Sequence, residues 1–218
     1  MKYQAVLFDL DGTLLDTIDD LADAMNTALL ANGLPPRPDV EQHKYFVGDG
    51  VRNYVLRAMP EDKRADENLI SRVTVDYRAA FAAGWRNKTR PYDGIGELLN
   101  SLAARGLAMA VLSNKPDDAT RAAVAHFLAD APFEIVRGAI DGEPIKPDPA
   151  TTLEIAEQMG FKPAEFLYLG DTNTDMQTAV AAGIHPVGAL WGFRPAEELT
   201  QNGAKILIKH PTELLKLI

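Results

Sequence analysis

Five short, largely apolar runs recur along the chain, and helical patterns lie between most of them. The runs are Ala5–Phe8, Ala108–Leu112, Phe133–Val136, Phe166–Leu169 and Pro186–Leu190. Runs of this kind, without regular alternation of polar residues, are typical of strands that are covered on both faces. The intervening helical patterns are Gly94–Arg105, Asp117–Leu128, Pro149–Met159 and Thr174–Ala182. Strands that alternate with helices predict an α/β fold with a doubly wound, mostly parallel sheet.

The segment from Thr17 to Trp85 breaks this alternation, because its apolar residues recur at helical spacing. One stripe is Ile18, Leu21, Ala22, Met25 and Leu29, and another is Leu69, Ile70, Val73, Tyr77 and Phe81. Such stripes predict amphipathic helices that pack on one another. We therefore predict a core domain at residues 1–15 and 87–218, and an inserted helical cap domain at residues 16–86.

The charge balance excludes two classes of partner. The chain has 22 basic and 31 acidic residues, a net charge of -9, and no cysteine. Nucleic acids and anionic membranes attract clustered Lys and Arg, so neither is expected as a partner. Without cysteine there is no disulfide framework and no thiolate site. Because the first residues lack a signal-peptide pattern, we expect a cytoplasmic protein, as a monomer or a homodimer.

Polar side chains follow several of the predicted strands at the point where each strand ends. They are Asp9, Asp11 and Thr13 after the first run, Ser113 and Asn114 after the second, Lys146 just before a helix, and Asp171 and Asp175 after the run that ends at Leu169. In a doubly wound sheet, ligands bind beyond the carboxyl ends of the strands. We therefore expect four loops to bring these carboxylate, hydroxyl, amide and ammonium groups to one edge.

This set of groups favours phosphoryl chemistry with Mg²⁺. Clustered carboxylates repel one another unless a hard cation is present, and Mg²⁺ prefers carboxylate, phosphate and water oxygens. Asp9 and Asp11 are two residues apart, so in extended backbone both can face one side, one near an electrophile and one near its leaving group. Gly12 would allow the chain to turn there. A carboxylate nucleophile with a neighbouring acid suits covalent phosphoryl transfer.

Other titratable residues receive structural interpretations. Asp16, Asp19, Asp20 and Asp23 are predicted as surface residues and helix caps. The histidines are His43, His126, His185 and His210, which are far apart and show no ligand spacing. We interpret all four as structural or surface residues.

The motifs in these four loops, in this order and at these spacings, resemble those of the haloacid dehalogenase superfamily of phosphohydrolases, over the whole chain. The helical insert after the first motif resembles that family's first type of cap. Within the superfamily, the chain is similar to the phosphoglycolate phosphatase group through Phe46–Val51, Leu112–Pro116 and Trp191–Arg194. The resemblance implies a Mg²⁺-dependent hydrolase of a small phosphorylated metabolite, with 2-phosphoglycolate as the expected substrate.

The resemblance also implies roles for individual residues. Asp9 would be the nucleophile, Asp11 the general acid and base, and Lys146 the cation between nucleophile and phosphate. The phosphate oxygens would be held by Thr13, Ser113 and the backbone amide of Asn114. The metal would be held by Asp9, Asp171 and the backbone carbonyl of Asp11, with Asp175 in support. Candidates for substrate specificity are Gly48, Gly50 and Arg52 in the cap and Arg194 in the core, although Arg52 also fits a surface role.

Three alternatives remain open at this point. A phosphatase of another small sugar phosphate and a phosphohexomutase are alternatives to the expected substrate, because both keep Asp9 and Asp11. A catalytically silent binding protein is the alternative outside enzymes. Such proteins usually lack a nucleophile or metal aspartate, and none is missing here.

Overall fold

The computed structural model describes residues 3–218, which include a six-stranded parallel sheet. The strands are β1 Ala5–Phe8, β2 Leu15–Asp16, β3 Arg90–Pro91, β4 Ala108–Pro116, β5 Ile135–Ala139, β6 Phe166–Gly170, β7 His185–Ala189 and β8 Ile206–Ile208. The sheet order is β5-β4-β1-β6-β7-β8, while β2 and β3 form a separate two-stranded sheet. The predicted α/β fold with a doubly wound parallel sheet is confirmed.

Helices separate most of the strands. They are α1 Ile18–Ala31, α2 Val40–Phe46, α3 Val51–Ala58, α4 Glu67–Gly84, α5 Ile95–Ala104, α6 Asp117–Phe127, α7 Ala150–Gln158, α8 Asn173–Ala182 and α9 Ala196–Gln201, with 3₁₀ turns at Glu61–Lys63, Pro163–Glu165 and Pro211–Lys216. Within residues 3–218, no helix combines the length and the apolarity that a membrane span needs.

The position of β1 determines which loops meet. All four of its residues are buried, and it pairs in parallel with β4 on one side and β6 on the other. Phe8 is level with Val111 of β4 and Leu169 of β6. Because parallel strands end at the same edge, the residue after Phe8 lies between the ends of β4 and β6. That residue is Asp9.

The end of β4 is irregular. Leu112 pairs with Arg137 and Pro116 with Ala139, so four steps along β4 match two steps along β5. Extra residues in one strand form a bulge, which redirects the side chains that it contains. Ser113, Asn114 and Lys115 lie in this bulge and are all buried.

The two edge strands of the six-stranded sheet, β5 and β8, differ from the sequence prediction. β5 begins at Ile135 rather than Phe133, whose ring packs edge-on against Phe8 with centroids 6.2 Å apart. β8 was not predicted, because it has three residues, two of them only half-buried. A short edge strand of this kind lacks the long apolar run that identifies a central strand.

The chain divides into two compact units. The core unit ends at Leu15 and resumes at Pro91–Ile218, and the helical unit is Asp16–Arg90. In the helical unit, α1 packs against α4 through their apolar faces, which include Met25, Leu29, Ile70 and Val73. The helical unit extends to Arg90, whereas the sequence placed its end at residue 86.

Asp20 of α1 contacts the last residues of the helical unit. Its carboxylate accepts hydrogen bonds from the backbone amides of Lys88 and Thr89 and from the Thr89 hydroxyl, at 2.8 to 3.1 Å. Asp20 is only 4% exposed, so its prediction as a surface or capping residue is wrong. A buried carboxylate needs hydrogen-bond partners, and these donors supply them. Through these hydrogen bonds, Asp20 holds residues 88 and 89 against α1.

Candidate active site

Asp9 and Lys146 form the centre of the predicted site. Asp9 follows β1, and its backbone amide donates to the Leu169 carbonyl of β6 at 3.0 Å. The Lys146 ammonium donates to Asp9 Oδ1 at 2.8 Å, to Asp175 Oδ1 at 2.7 Å and to the Leu112 carbonyl at 3.2 Å. Both charged side chains are more than nine-tenths buried. Lys146 thus joins carboxylates from two different loops of the sheet edge.

Asp175 is held by the first turn of α8. Its Oδ2 accepts from the Thr172 hydroxyl at 2.7 Å and from the backbone amides of Thr172 and Asp171 at 3.0 and 3.2 Å. Thr172 caps the helix and Asp175 is its third residue, an arrangement that satisfies amides at a helix start. The Tyr168 hydroxyl donates to Asp175 Oδ1 at 3.2 Å. Asp175 is therefore fixed on both of its oxygens.

Asp171 lies between two other segments of the core unit. Thr13 donates its hydroxyl to Asp171 Oδ1 at 2.7 Å, and the Phe193 backbone amide donates to Oδ2 at 2.8 Å. Gly12 and Gly192 approach the same carboxylate so closely that a Cβ at either position would collide with it. Gly12 also has a φ of +88°, which favours glycine. The glycines therefore permit the loops to close around Asp171.

Burial and mutual repulsion shift the protonation of these carboxylates. Burial, with the Asp175 charge second, raises the pKa of Asp9 well above its usual value, against the opposing charge of Lys146. Burial and then the Asp175 charge raise the pKa of Asp171 to about 7. Burial alone would lower the pKa of Lys146, but the charges of Asp175 and Asp9 outweigh it and raise that pKa well above its usual value. The site therefore favours bound cations and retained protons.

Asp9, Asp171 and Asp175 could together hold a metal ion. Each offers one carboxylate oxygen, and these oxygens lie within 4.8 Å of one another. With Asp11 there are four carboxylates against two ammonium groups, those of Lys146 and Lys115. When all four are ionised, the carboxylates outnumber the ammonium groups by two, and a divalent ion would offset this excess. All the candidate ligands are oxygens, the type that Mg²⁺ prefers.

Asp11 pairs with a lysine that the sequence left without a role. The Lys115 ammonium donates to both carboxylate oxygens of Asp11 at 2.9 Å. The exposed fractions of the two side chains are 6% for Lys115 and 17% for Asp11. Asp11 is thus held on the same edge as Asp9, by a cation separate from Lys146.

The predicted phosphate ligands already have partners within the core unit. Thr13 donates to Asp171, as described, and the Ser113 hydroxyl accepts from the Lys115 backbone amide at 3.3 Å. The Asn114 side chain accepts from the Lys146 backbone amide and donates to the Lys146 carbonyl, both at 2.9 Å. Its side chain therefore positions the loop of Lys146, a role that is separate from the one predicted for its backbone amide.

The specificity candidates lie in different units. Gly48 and Gly50 are in the helical unit with φ of +115° and +84°, and Gly50 is the N-cap of α3. Arg52 is 57% exposed in its side chain and pairs with both oxygens of Glu67, at 2.8 and 2.9 Å. Arg194 is in the core unit, buried, and its Nε donates to Glu198 at 3.1 Å.

Sequence reasoning missed four contributors to this edge, and two of them had a signal. Lys115 directly follows two predicted site residues, and Thr172 stands three residues before Asp175, as in a capping box. Tyr168 is inside a strand run, and the Phe193 contribution is a backbone amide. Neither of these last two could be identified from residue type.

Comparisons with known proteins cover both units. Residues 6–189 match a family model described as haloacid dehalogenase-like hydrolase. The phosphoglycolate phosphatase of Nitrosospira multiformis is 33% identical over 224 residues, with 100% of this chain and 96% of that protein covered. A solved structure from Lactobacillus delbrueckii subsp. bulgaricus is 30% identical with a TM-score of 0.92, covering 100% of this chain and 99% of the other. A second, described as a predicted phosphoglycolate phosphatase from Haemophilus somnus, is 26% identical with a TM-score of 0.91, covering 100% and 98%.

Proposed function

Because the chain belongs to the haloacid dehalogenase-like hydrolase family and is a phosphoric monoester hydrolase of a small phosphorylated substrate, we propose that it hydrolyses 2-phosphoglycolate with Mg²⁺. We further propose that the phosphoryl group passes through Asp9. The observation that carries this proposal is the meeting of Asp9, Asp171 and Asp175 within 4.8 Å, with Lys146 on the first and third of them.

The proposed first step uses Asp9 and Asp11. A carboxylate oxygen of Asp9 forms a bond to phosphorus, and the bond from phosphorus to the leaving oxygen breaks. Asp11 gives its proton to that leaving oxygen, which departs as an alcohol. Lys146 holds Asp9 Oδ1 at 2.8 Å, which orients the carboxylate and offsets its charge beside an anionic substrate.

The second proposed step releases phosphate. Asp11, now a carboxylate, takes a proton from water, the water oxygen bonds to phosphorus, and the bond to Asp9 breaks. Thr13, Ser113 and the Asn114 backbone amide would hold the phosphate oxygens through both steps. Mg²⁺ would be held by Asp9, Asp171 and the Asp11 carbonyl, with Asp175 in support, and would stabilise charge that develops on the phosphoryl oxygens.

The remaining candidates make different products. A phosphohexomutase would return the phosphoryl group to a sugar, and a phosphatase of another sugar phosphate would prefer that ester. Both keep the Asp9 chemistry, so the helical unit, acting as a cap domain, would decide between them. There Gly48, Gly50 and Arg52 are the proposed specificity residues, with Arg194 from the core unit.

A panel of phosphate monoesters, assayed with Mg²⁺ and with EDTA, tests this proposal. We expect release of phosphate from 2-phosphoglycolate in preference to hexose phosphates, and loss of turnover in EDTA. Asp9→Asn should abolish turnover. Acid quenching should trap a phosphorylated enzyme from the wild type but not from this variant. Asp130→Asn, which changes an exposed aspartate, is the matched control. Turnover that persists without metal, or an Asp9→Asn variant that remains active, would refute the mechanism.

The acid role of Asp11 has a separate test. Asp11→Asn keeps the nucleophile and loses the proton donor, so hydrolysis of 2-phosphoglycolate should fall much further than hydrolysis of p-nitrophenyl phosphate, whose leaving group needs no proton. Equal losses for the two substrates would remove Asp11 from this role.

A further inference from the structure

Lys115 is a buried cation at the edge of the site that the proposed chemistry does not use. It lies in the irregular end of β4, and its side chain is 6% exposed. Its backbone is fixed on both sides, since the amide donates to the Ser113 hydroxyl at 3.3 Å and the carbonyl accepts from the Thr120 hydroxyl at 3.1 Å. A buried ammonium group needs anionic partners, so the position of Lys115 indicates where the site can bind a negatively charged group.

The two lysines of the site serve different parts of it. Lys146 donates hydrogen bonds to Asp9, the proposed nucleophile, and to Asp175, which is proposed to support the metal. Lys115 contacts Asp11, at 2.9 Å from each of its carboxylate oxygens. A general acid must come within about 3 Å of the oxygen that it protonates. The Lys115 ammonium is therefore within about 6 Å of the leaving oxygen when Asp11 acts.

This distance suits a negative charge in the leaving group itself. In 2-phosphoglycolate a single CH₂ group separates the ester oxygen from the carboxylate. That carboxylate loses water when it enters the site and needs a charged donor in return. A lysine ammonium has three N–H donors, so one can reach a second carboxylate while another continues to hold Asp11.

Building on the proposed function, we propose that Lys115 is a specificity-determining residue which binds the anionic group of the leaving alcohol. It would select phosphate monoesters with a carboxylate next to the ester carbon over esters of neutral alcohols. Asp11 and the substrate carboxylate would share the same ammonium group, so one residue would orient both the acid and the group that receives its proton.

The test compares 2-phosphoglycolate with 2-hydroxyethyl phosphate. Both are alkyl esters that need Asp11, but only the first has a carboxylate. A hydrogen bond to a charged group contributes about 1.5 to 3 kcal/mol, so Lys115→Met should lower kcat/KM for 2-phosphoglycolate about 10- to 100-fold, mainly through KM. The neutral ester should lose only the part of the effect that acts through Asp11, so the preference for 2-phosphoglycolate over it should fall about 10-fold or more. Lys115→Arg should recover much of the lost selectivity.

Control variants keep the outcome interpretable. Arg121→Gln removes a cation from an exposed ion pair with Asp117, 2.7 Å long, and should leave the preference between the two esters unchanged. If Lys115→Met does not fold, as judged by circular dichroism, Lys115→Gln replaces it. Equal losses for both esters would overturn the inference, because they would mean that Lys115 acts only through Asp11.

Failure of the proposed function would look different. If the wild type hydrolysed other monoesters but not 2-phosphoglycolate, the proposed substrate would be wrong. Lys115 would then be judged by the remaining panel, where Lys115→Met should lower activity on carboxylate-bearing esters more than on neutral ones. If Lys115→Met lowered activity on both kinds of ester equally across the panel, the proposed role of Lys115 would be wrong, whatever the natural substrate.

Discussion

Raising the pH of the metal-free protein should weaken its fold, and Asp171 provides the clearest cause. Burial and the Asp175 charge raise the pKa of Asp171 from 3.8 to about 7. Between these two values the folded protein retains a proton that the unfolded chain has released. The free energy of unfolding therefore falls as the pH rises, and the contribution is lost once the pH passes about 7.

The magnitude follows from the width of this range. Each pH unit inside it changes the free energy of unfolding by about 1.4 kcal/mol per retained proton. Because the folded protein has released half of this proton at pH 7, the loss from Asp171 alone between pH 5 and pH 7 is about 2 kcal/mol, a large part of the 5 to 15 kcal/mol typical of a folded domain. The raised pKa of Asp9 acts in the same direction. His43 acts in the opposite direction, because burial lowers its pKa.

Urea unfolding in EDTA at pH 5, 6, 7 and 8 would measure this effect. Asp171→Asn is the control, since it keeps the shape of the side chain and removes the charge. The wild type should lose about 2 kcal/mol relative to this variant between pH 5 and pH 7. Mg²⁺ should stabilise the wild type more at pH 8 than at pH 5, and calorimetry at pH 6 should detect protons released as Mg²⁺ binds. Parallel pH profiles for the two proteins, or metal binding without proton release at pH 6, would refute the reasoning.

Three further substitutions test how the site and the helical unit are supported. Asn114→Ala leaves the Lys146 backbone amide and carbonyl without their side-chain partner, so the free energy of unfolding should fall by about 1 to 3 kcal/mol. Because the Lys146 loop is then less well positioned, kcat should also fall, with little change in KM. An unchanged kcat would contradict a positioning role. Gly12→Ala places a Cβ against the Asp171 carboxylate at a φ of +88°, so calorimetry should show weaker Mg²⁺ binding, while Gly106→Ala, also at positive φ but with open space around it, should retain normal affinity. Asp20→Asn removes the charge on the group that accepts hydrogen bonds from the Lys88 and Thr89 amides, so the free energy of unfolding should fall by about 1 to 3 kcal/mol. The Thr89 amide hydrogen should also exchange faster with solvent. Unaltered exchange would mean that Asp20 does not hold this segment in place.

The sequence predicts the central sheet well because burial determines its pattern. The central strands β1 and β6 are buried along their whole length, so each appears as a run of apolar residues. At the edges that signal weakens, since β5 is half-buried at most positions and β8 is short. Asp20 fails for a related reason: an aspartate in the first turn of a helix has the same residue pattern whether it faces water or a neighbouring segment.

The candidate site divides in a similar way. The parallel sheet brings Asp9, Asp171 and Asp175 to one edge, which topology alone implies. Residue type does not give side-chain direction in the bulge of β4, where three successive residues take different partners. The Ser113 hydroxyl accepts from the backbone, the Asn114 amide holds the Lys146 loop, and the Lys115 ammonium reaches Asp11. Only the structure could separate these roles.

The hydrogen bonds to the carboxylates of the proposed metal site agree with the roles proposed for them. Asp175 accepts from five donors, two on Oδ1 and three on Oδ2, and Asp171 accepts from one on each oxygen. Among the residues that the structure describes, Lys146 alone donates to the Asp9 carboxylate, through Oδ1. A nucleophilic oxygen must keep a lone pair available for phosphorus, whereas a supporting carboxylate gains from saturation because its position is then fixed. Asp9 is the least engaged of the three carboxylates, with one oxygen oriented by Lys146, which fits the nucleophilic role proposed for it.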